Sequence, residues 1–171
     1  MKEAKFYESL EGRKVKCRLC PWNCKISEGE RGICGVRENN EGKLYSLSYN
    51  NLRSGTPDPI EKKPLFNFAP GTKTYSICTP GCNWKCQYCQ NWQLSQGNLR
   101  GKSVAPEEIV KAAKKSGCQG ISYTYTEPTI FYELAYETAK IAKEEGLYNT
   151  FVTNGYINLG PIKEIAPYLD A

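Results

Sequence analysis

The chain has 171 residues, 40% of them hydrophobic and 24% charged, an ordinary globular composition with length for one domain or a domain plus a small appendage. Its formal net charge of +5 comes without any Lys/Arg tract, so no nucleic-acid partner is expected. Histidine is absent, which excludes His-based triads and His-ligated zinc, and with no apolar export core in MKEAKFYESLEGRK and no stretch of bilayer length, neither secretion nor a membrane span is expected.

Residues 1–53 are expected to form a small Cys-rich element. Cys17, Cys20, Cys24 and Cys34 are separated by two, three and nine residues in KCRLCPWNCKISEGERGICGVR. Four thiols without imidazole suit zinc or a fully ligated auxiliary iron–sulfur cluster, and the spacing is not the ferredoxin run. The following KLYSLSYN alternates Leu44, Ser46 and Ser48 against Tyr45, Leu47 and Tyr49, a strand pattern. So small an element buries little core of its own and is expected to lean on a metal.

Residues 54–72 carry Pro57, Pro59, Pro64 and Pro70, which remove backbone donors and disfavour helix or central strand. An extended connector lying across the main body is expected. From Lys73 the pattern alternates strand and helix. TYSIC reads as a short buried strand feeding a cysteine loop. Pro106 opens PEEIVKAAKKSG, with acids in its first turn, lysines in its last and Gly117 as the stop. GISYTYT is a second strand, and Pro128 starts a helix whose Phe131, Leu134, Ala135, Thr138, Ile141 and Ala142 recur at helical spacing before Gly146. NTFVTNG is a third strand and turn, and LGPIKEIAPYL a third helix. Three βα units at 73–171 predict an α/β fold, a partial TIM-like (βα) barrel with its site at the C-terminal ends of the strands. A closed barrel needs about 200 residues or more, so half a barrel is the most this length allows. The exposed edge at the third strand implies a truncated or split chain, or something covering that edge.

Nine cysteines in two main groups, without an export signal, point to a cytoplasmic protein with metal-bound thiolates. The second group, Cys82, Cys86 and Cys89 in GCNWKCQYCQNW, has CxxxCxxC spacing and no fourth ligand nearby. A structural zinc site closes with four protein ligands, whereas a [4Fe-4S] cluster held by three thiolates keeps one iron open for a substrate or cofactor. The alternative is an incomplete zinc knuckle borrowing Cys78 or Cys118, which otherwise read as small buried hydrophobes.

Cys82, Cys86, Tyr88 and Cys89 match CxxxCxΦC with Φ aromatic, and here the sequence resembles the radical S-adenosylmethionine (SAM) superfamily. The run from Lys62 to Gln96 looks like the relatives of pyruvate formate-lyase activating enzyme, in particular the AmmeMemoRadiSam group. The resemblance implies a [4Fe-4S] cluster on Cys82, Cys86 and Cys89, and reductive cleavage of SAM to a 5′-deoxyadenosyl radical. It implies a SAM pocket lined by Tyr88, Thr126, Glu127, Thr153 and Asn154. It also implies a flavodoxin or ferredoxin electron donor, with a protein substrate or the missing half-barrel as further partner. TYTEP stands where the family has GGE, with Tyr125 and Thr126 replacing two glycines. Other readings stay open: Glu127 as a solvated residue at a helix start, TNG as a plain strand-ending turn, and the aromatics as packing. Two other functions compete, a zinc-dependent Cys-rich binding module and an electron-transfer iron–sulfur protein.

Overall fold

The computed structural model describes residues 1–97 and 100–171. The N-terminal element folds as two small antiparallel sheets. Strands β1 (Lys2–Glu3), β5 (Arg37–Asn40) and β6 (Lys43–Ser46) form one in the order β1-β6-β5; β2 (Tyr7–Ser9), β3 (Val15–Cys17) and β4 (Lys25–Ile26) form the other. The alternation from Leu44 to Tyr49 is realised, with Leu44, Ser46 and Ser48 buried and Tyr45, Leu47 and Tyr49 half-buried. Its apolar residues do not make a separate core: Val15, Ile26, Val36 and Leu44 belong to one buried cluster with Ile77, Ile121, Leu134 and Ile165.

The main sheet has four strands in the order β10-β9-β8-β7: β7 (Ser54–Pro59), β8 (Lys73–Cys78), β9 (Gly120–Tyr123) and β10 (Tyr148–Phe151). Strands β8, β9 and β10 are parallel, and β7 pairs antiparallel with β8 from Ser54↔Cys78 to Pro59↔Lys73. The Pro-rich stretch is thus in part an edge strand, where a missing N–H breaks no ladder. The expected partial TIM-like barrel does not form among the described residues. An antiparallel strand occupies one edge of the parallel trio, and the result is an open mixed sheet. At the other edge, the Asp170 amide donates to Asn149 O (2.8 Å) and the Phe151 amide to Ala171 O (2.9 Å).

A short helix α1 (Trp92–Ser95) follows the cysteine loop, α2 (Pro106–Lys115) joins β8 to β9, α3 (Tyr132–Glu144) joins β9 to β10, and α4 (Leu159–Ile165) follows β10. In α2, Pro106 sits in the first turn, Glu108 accepts from the Ala105 amide at 2.8 Å, and Gly117 takes φ +68° just past the end. The helix expected at Pro128 begins instead as a 3-10 turn over Pro128–Phe131, because the Glu127 carboxylate caps the Thr129 amide and tightens the entry to α3. No helix of the described residues is long and apolar enough to cross a membrane.

Candidate functional site

All three parallel strands deliver their C-terminal ends to one cavity of about 650 Å³. After β8 the chain turns at Gly81, where φ is +99° and an added Cβ would lie 2.6 Å from Val36 Cγ1 and 2.9 Å from Cys34 O. Only glycine permits that conformation and that approach, and Cys82 is thereby set against the N-terminal element. Cys82, Cys86 and Cys89 all line the cavity. The Trp84 amide lies 3.4 Å from Cys82 Sγ, Ser95 Oγ lies 3.6 Å from Cys89 Sγ, and burial pushes the Cys82 thiol up from its ordinary range.

Glu127 and Asn154 lie on the same cavity, on the loops after β9 and β10. Glu127 is only 3% exposed, so it is not a solvated helix-start residue. Its Oε1 accepts from the Thr129 amide (3.0 Å), Thr129 Oγ1 (2.7 Å) and Thr153 Oγ1 (2.7 Å), and its Oε2 from the Asn154 amide (2.7 Å). The carboxylate therefore ties two strand ends together. Asn154 Nδ2 donates to Asn83 Oδ1 at 2.9 Å, linking the third strand to the cysteine loop. Thr126 lines the cavity and donates to Thr79 O at 2.8 Å. Thr153 lies outside the lining and reaches the site through Glu127.

Tyr88 departs from its expected place. It is 91% exposed and lines a neighbouring groove with Trp22, Ile33, Trp84 and Tyr156, outside the cavity. The tight turn in which the Cys89 amide donates to Cys86 O (3.2 Å) brings the flanking cysteines to the cavity and leaves Tyr88 on its outer side. Trp92 is likewise exposed.

Among the residues of this wall to which the sequence gives no site role are Lys62, Lys63 and Tyr125. Tyr125 holds φ +63°, the conformation glycine takes without cost, so it keeps a glycine-like backbone at the position the resemblance gives to glycine. Such a residue carries roughly 1–3 kcal/mol of strain unless its surroundings hold it. Here its hydroxyl donates to Asp58 on β7, and Lys63 Nζ stands 4.3 Å above its ring. Asp58 also accepts from Lys62 (2.6 Å) and Lys63 (2.9 Å). Burial alone would raise the Asp58 carboxyl, but hydrogen bonds from Lys62, Tyr125 and Lys63 outweigh it and hold the group well below the usual carboxylate range. The KK before Pro64 is the one available signal, and nothing local connects Asp58 beside it to Tyr125, 67 positions further on.

The four N-terminal cysteines also converge. Cys17, Cys20, Cys24 and Cys34 line one small cavity of about 20 Å³ together with Arg37 and Asn83. All nine cysteines are free thiols, and Cys78 and Cys118 are buried as expected of small hydrophobes. Among the described residues no group of three or more His, Cys, Asp or Glu side chains is arranged to hold a metal ion. What the two cavities supply is donor chemistry: thiols without imidazole, three on one cavity and four on the other. Both sets suit sulfur-favouring metal centres.

Residues 76–170 match the model of the Radical SAM superfamily, and the chain belongs to that family. It is 50% identical over 168 residues, 96% of its length, to the uncharacterized protein MJ0808 of Methanocaldococcus jannaschii, and spans 50% of that protein. Two other proteins of that organism match in part. The uncharacterized protein MJ0674 is 32% identical over 81 residues, 47% of this chain and 19% of its own. MJ1227, which carries the name of a glycyl-radical enzyme activating enzyme, is 36% identical over 75 residues, 44% of this chain and 30% of its own. Radical SAM domains typically carry an iron–sulfur cluster and SAM, and the donor set on the large cavity fits such a cluster.

Proposed function

We propose that this chain is the part of a radical SAM enzyme that holds a [4Fe-4S] cluster on Cys82, Cys86 and Cys89 and binds SAM beside it, in the manner of a glycyl-radical activating enzyme. The observation that carries the reading is the placing of all three cysteines, Thr126, Glu127 and Asn154 on a single cavity of about 650 Å³. When bound, the cluster would pass an electron from an external donor to the SAM sulfonium, and breakage of one carbon–sulfur bond would leave methionine and a 5′-deoxyadenosyl radical able to take hydrogen from a substrate. The chain's own residues prepare the pocket. Glu127 and Asn154 fix the ends of β9 and β10, and Thr126, whose hydroxyl is bonded to Thr79 O, packs that wall against the cysteine loop. The strand-end carbonyls and the Glu127 carboxylate offer acceptors for the SAM ammonium. The amide of Trp84 and the hydroxyl of Ser95 lie near sulfur and would bias the cluster's potential. A flavodoxin or ferredoxin donor meets the exposed face beside Cys86, where Trp84 and Tyr88 stand out.

Anaerobic reconstitution followed by electron paramagnetic resonance, with and without SAM, tests this. The expected result is a reduced-cluster spectrum that changes when SAM is added, and loss of the cluster in Cys86→Ala. A spectrum indifferent to SAM, or a cluster surviving Cys86→Ala, overturns the assignment.

A further inference from the structure

The small cavity of the N-terminal element touches the cysteine loop only through Asn83, holds none of that loop's three cysteines, and is built differently. Its sulfurs come from three places in the chain. Cys17 ends β3, Cys20 and Cys24 bracket the turn between β3 and β4, and Cys34 precedes β5. The turn is held by backbone bonds from the Cys17 amide to Cys24 O (2.9 Å) and from the Asn23 amide to Cys20 O (3.1 Å). Backbone geometry thus brings all four cysteines to one void. The void, about 20 Å³, is close to the 10–15 Å³ needed for one water-sized body. As the side chains stand, that space matches a single ion rather than an iron–sulfur cubane.

A second, independent observation points to a ligand there. Arg37 lines the same void and is 1% exposed. Its Nη1 donates to Lys5 O at 2.9 Å and its Nη2 to Glu133 Oε1, yet its Nε–H has no partner among the described residues. Buried guanidinium donors are normally satisfied, and a metal-bound thiolate is a strong acceptor for one.

We propose that Cys17, Cys20, Cys24 and Cys34 bind one zinc ion as a closed tetrahedral thiolate site, with the Arg37 Nε–H donating to one of the sulfurs. Binding takes up Zn²⁺ and releases one proton from each thiol that ligates, with no change of oxidation state. The thiols surround the void without forming a shell, so capture draws their side chains inward on a backbone already in place. The ion would clamp the knuckle that carries Trp22, whose Nε1 donates to Asn83 O at 2.9 Å, next to Cys82. A structural zinc would in this way steady the loop that carries the other three cysteines.

The test uses the full chain with Cys82, Cys86 and Cys89 all replaced by Ser, so its outcome does not depend on the cluster reading. Elemental analysis is expected to find one zinc per chain, and Co²⁺ substituted for it should show thiolate-to-metal charge-transfer absorption. Cys20→Ser in that background should abolish stoichiometric binding, and Arg37→Lys should weaken it by about 10- to 100-fold. Zinc affinity unchanged by Arg37→Lys removes Arg37 from the site. Absence of zinc, zinc retained at full affinity by Cys20→Ser, iron with sulfide at this position, or a disulfide among the four overturns the proposal. Should Cys20→Ser fail to fold, alkylation of the chain with Cys82, Cys86 and Cys89 replaced by Ser decides: zinc must protect Cys17, Cys20, Cys24 and Cys34, and all four must react once it is chelated.

Discussion

Glu127 is a buried carboxylate whose two oxygens accept four hydrogen bonds, two of them from the backbone amides of Thr129 and Asn154. Those amides sit on opposite oxygens, so either orientation of a Gln side chain would set its NH₂ against a backbone N–H. Leaving a buried donor unpaired costs about 1–3 kcal/mol. Glu127→Gln is therefore expected to destabilise the chain by about that much in denaturant titration without iron or SAM; an unchanged midpoint would show the four bonds to be dispensable. The sequence identified Glu127 through the likeness of TYTEP to a glycine-rich motif, but its bridging role was out of reach, since Thr153 and Asn154 join it from 26 and 27 positions further on. The same limit explains Tyr88. Spacing told which residues share a loop, whereas the turn between Cys86 and Cys89 decided which of them face the cavity.

The elements read best from the sequence are those closed by local signals. Pro106, the acids at 107 and 108, the lysines at 114 and 115, and Gly117 all act within α2, and Gly146 with φ +74° stops α3 in the same way. From sequence, strand β7 shows only as extended chain, because its partner is chosen by tertiary pairing and its prolines hide the strand pattern. Its place at the sheet edge brings Asp58 under Tyr125 and between two lysines. Because the folded-state value is lowered, the carboxylate adds stability above its ordinary pKa of about 3.9, and that contribution is lost as pH falls below it. Asp58→Asn should be less stable than the parent at neutral pH, with the difference shrinking as pH drops from about 5 toward the acid limit. A gap independent of pH across that range would mean that the carboxylate's charge contributes nothing.

The N-terminal element was expected to depend on a metal because its own apolar surface is small. The folded chain meets that shortage by sharing. Val15, Val36 and Leu44 enter the same core as Ile77 and Ile165, Ser48 Oγ donates to Ile130 O at 3.2 Å, and the Asn158 amide donates to Leu19 O at 3.0 Å. Arg37 and Glu133 form an ion pair across the junction, each side chain 1% exposed, and breaking such a buried pair from one side costs about 3–5 kcal/mol. Separating the element from the sheet would expose this core and strand both charges, so the whole chain should unfold as one unit even without metal. The three tryptophans allow this to be checked. Trp22 lies in the N-terminal element, and Trp84 and Trp92 lie on or beside the cysteine loop, while α2 and α3 dominate the far-ultraviolet circular dichroism. Fluorescence and circular dichroism are expected to trace the same urea transition in the metal-free chain. If fluorescence changes at lower denaturant, the element detaches first, and the shared core is then too weak to hold the two cysteine sites together without an ion.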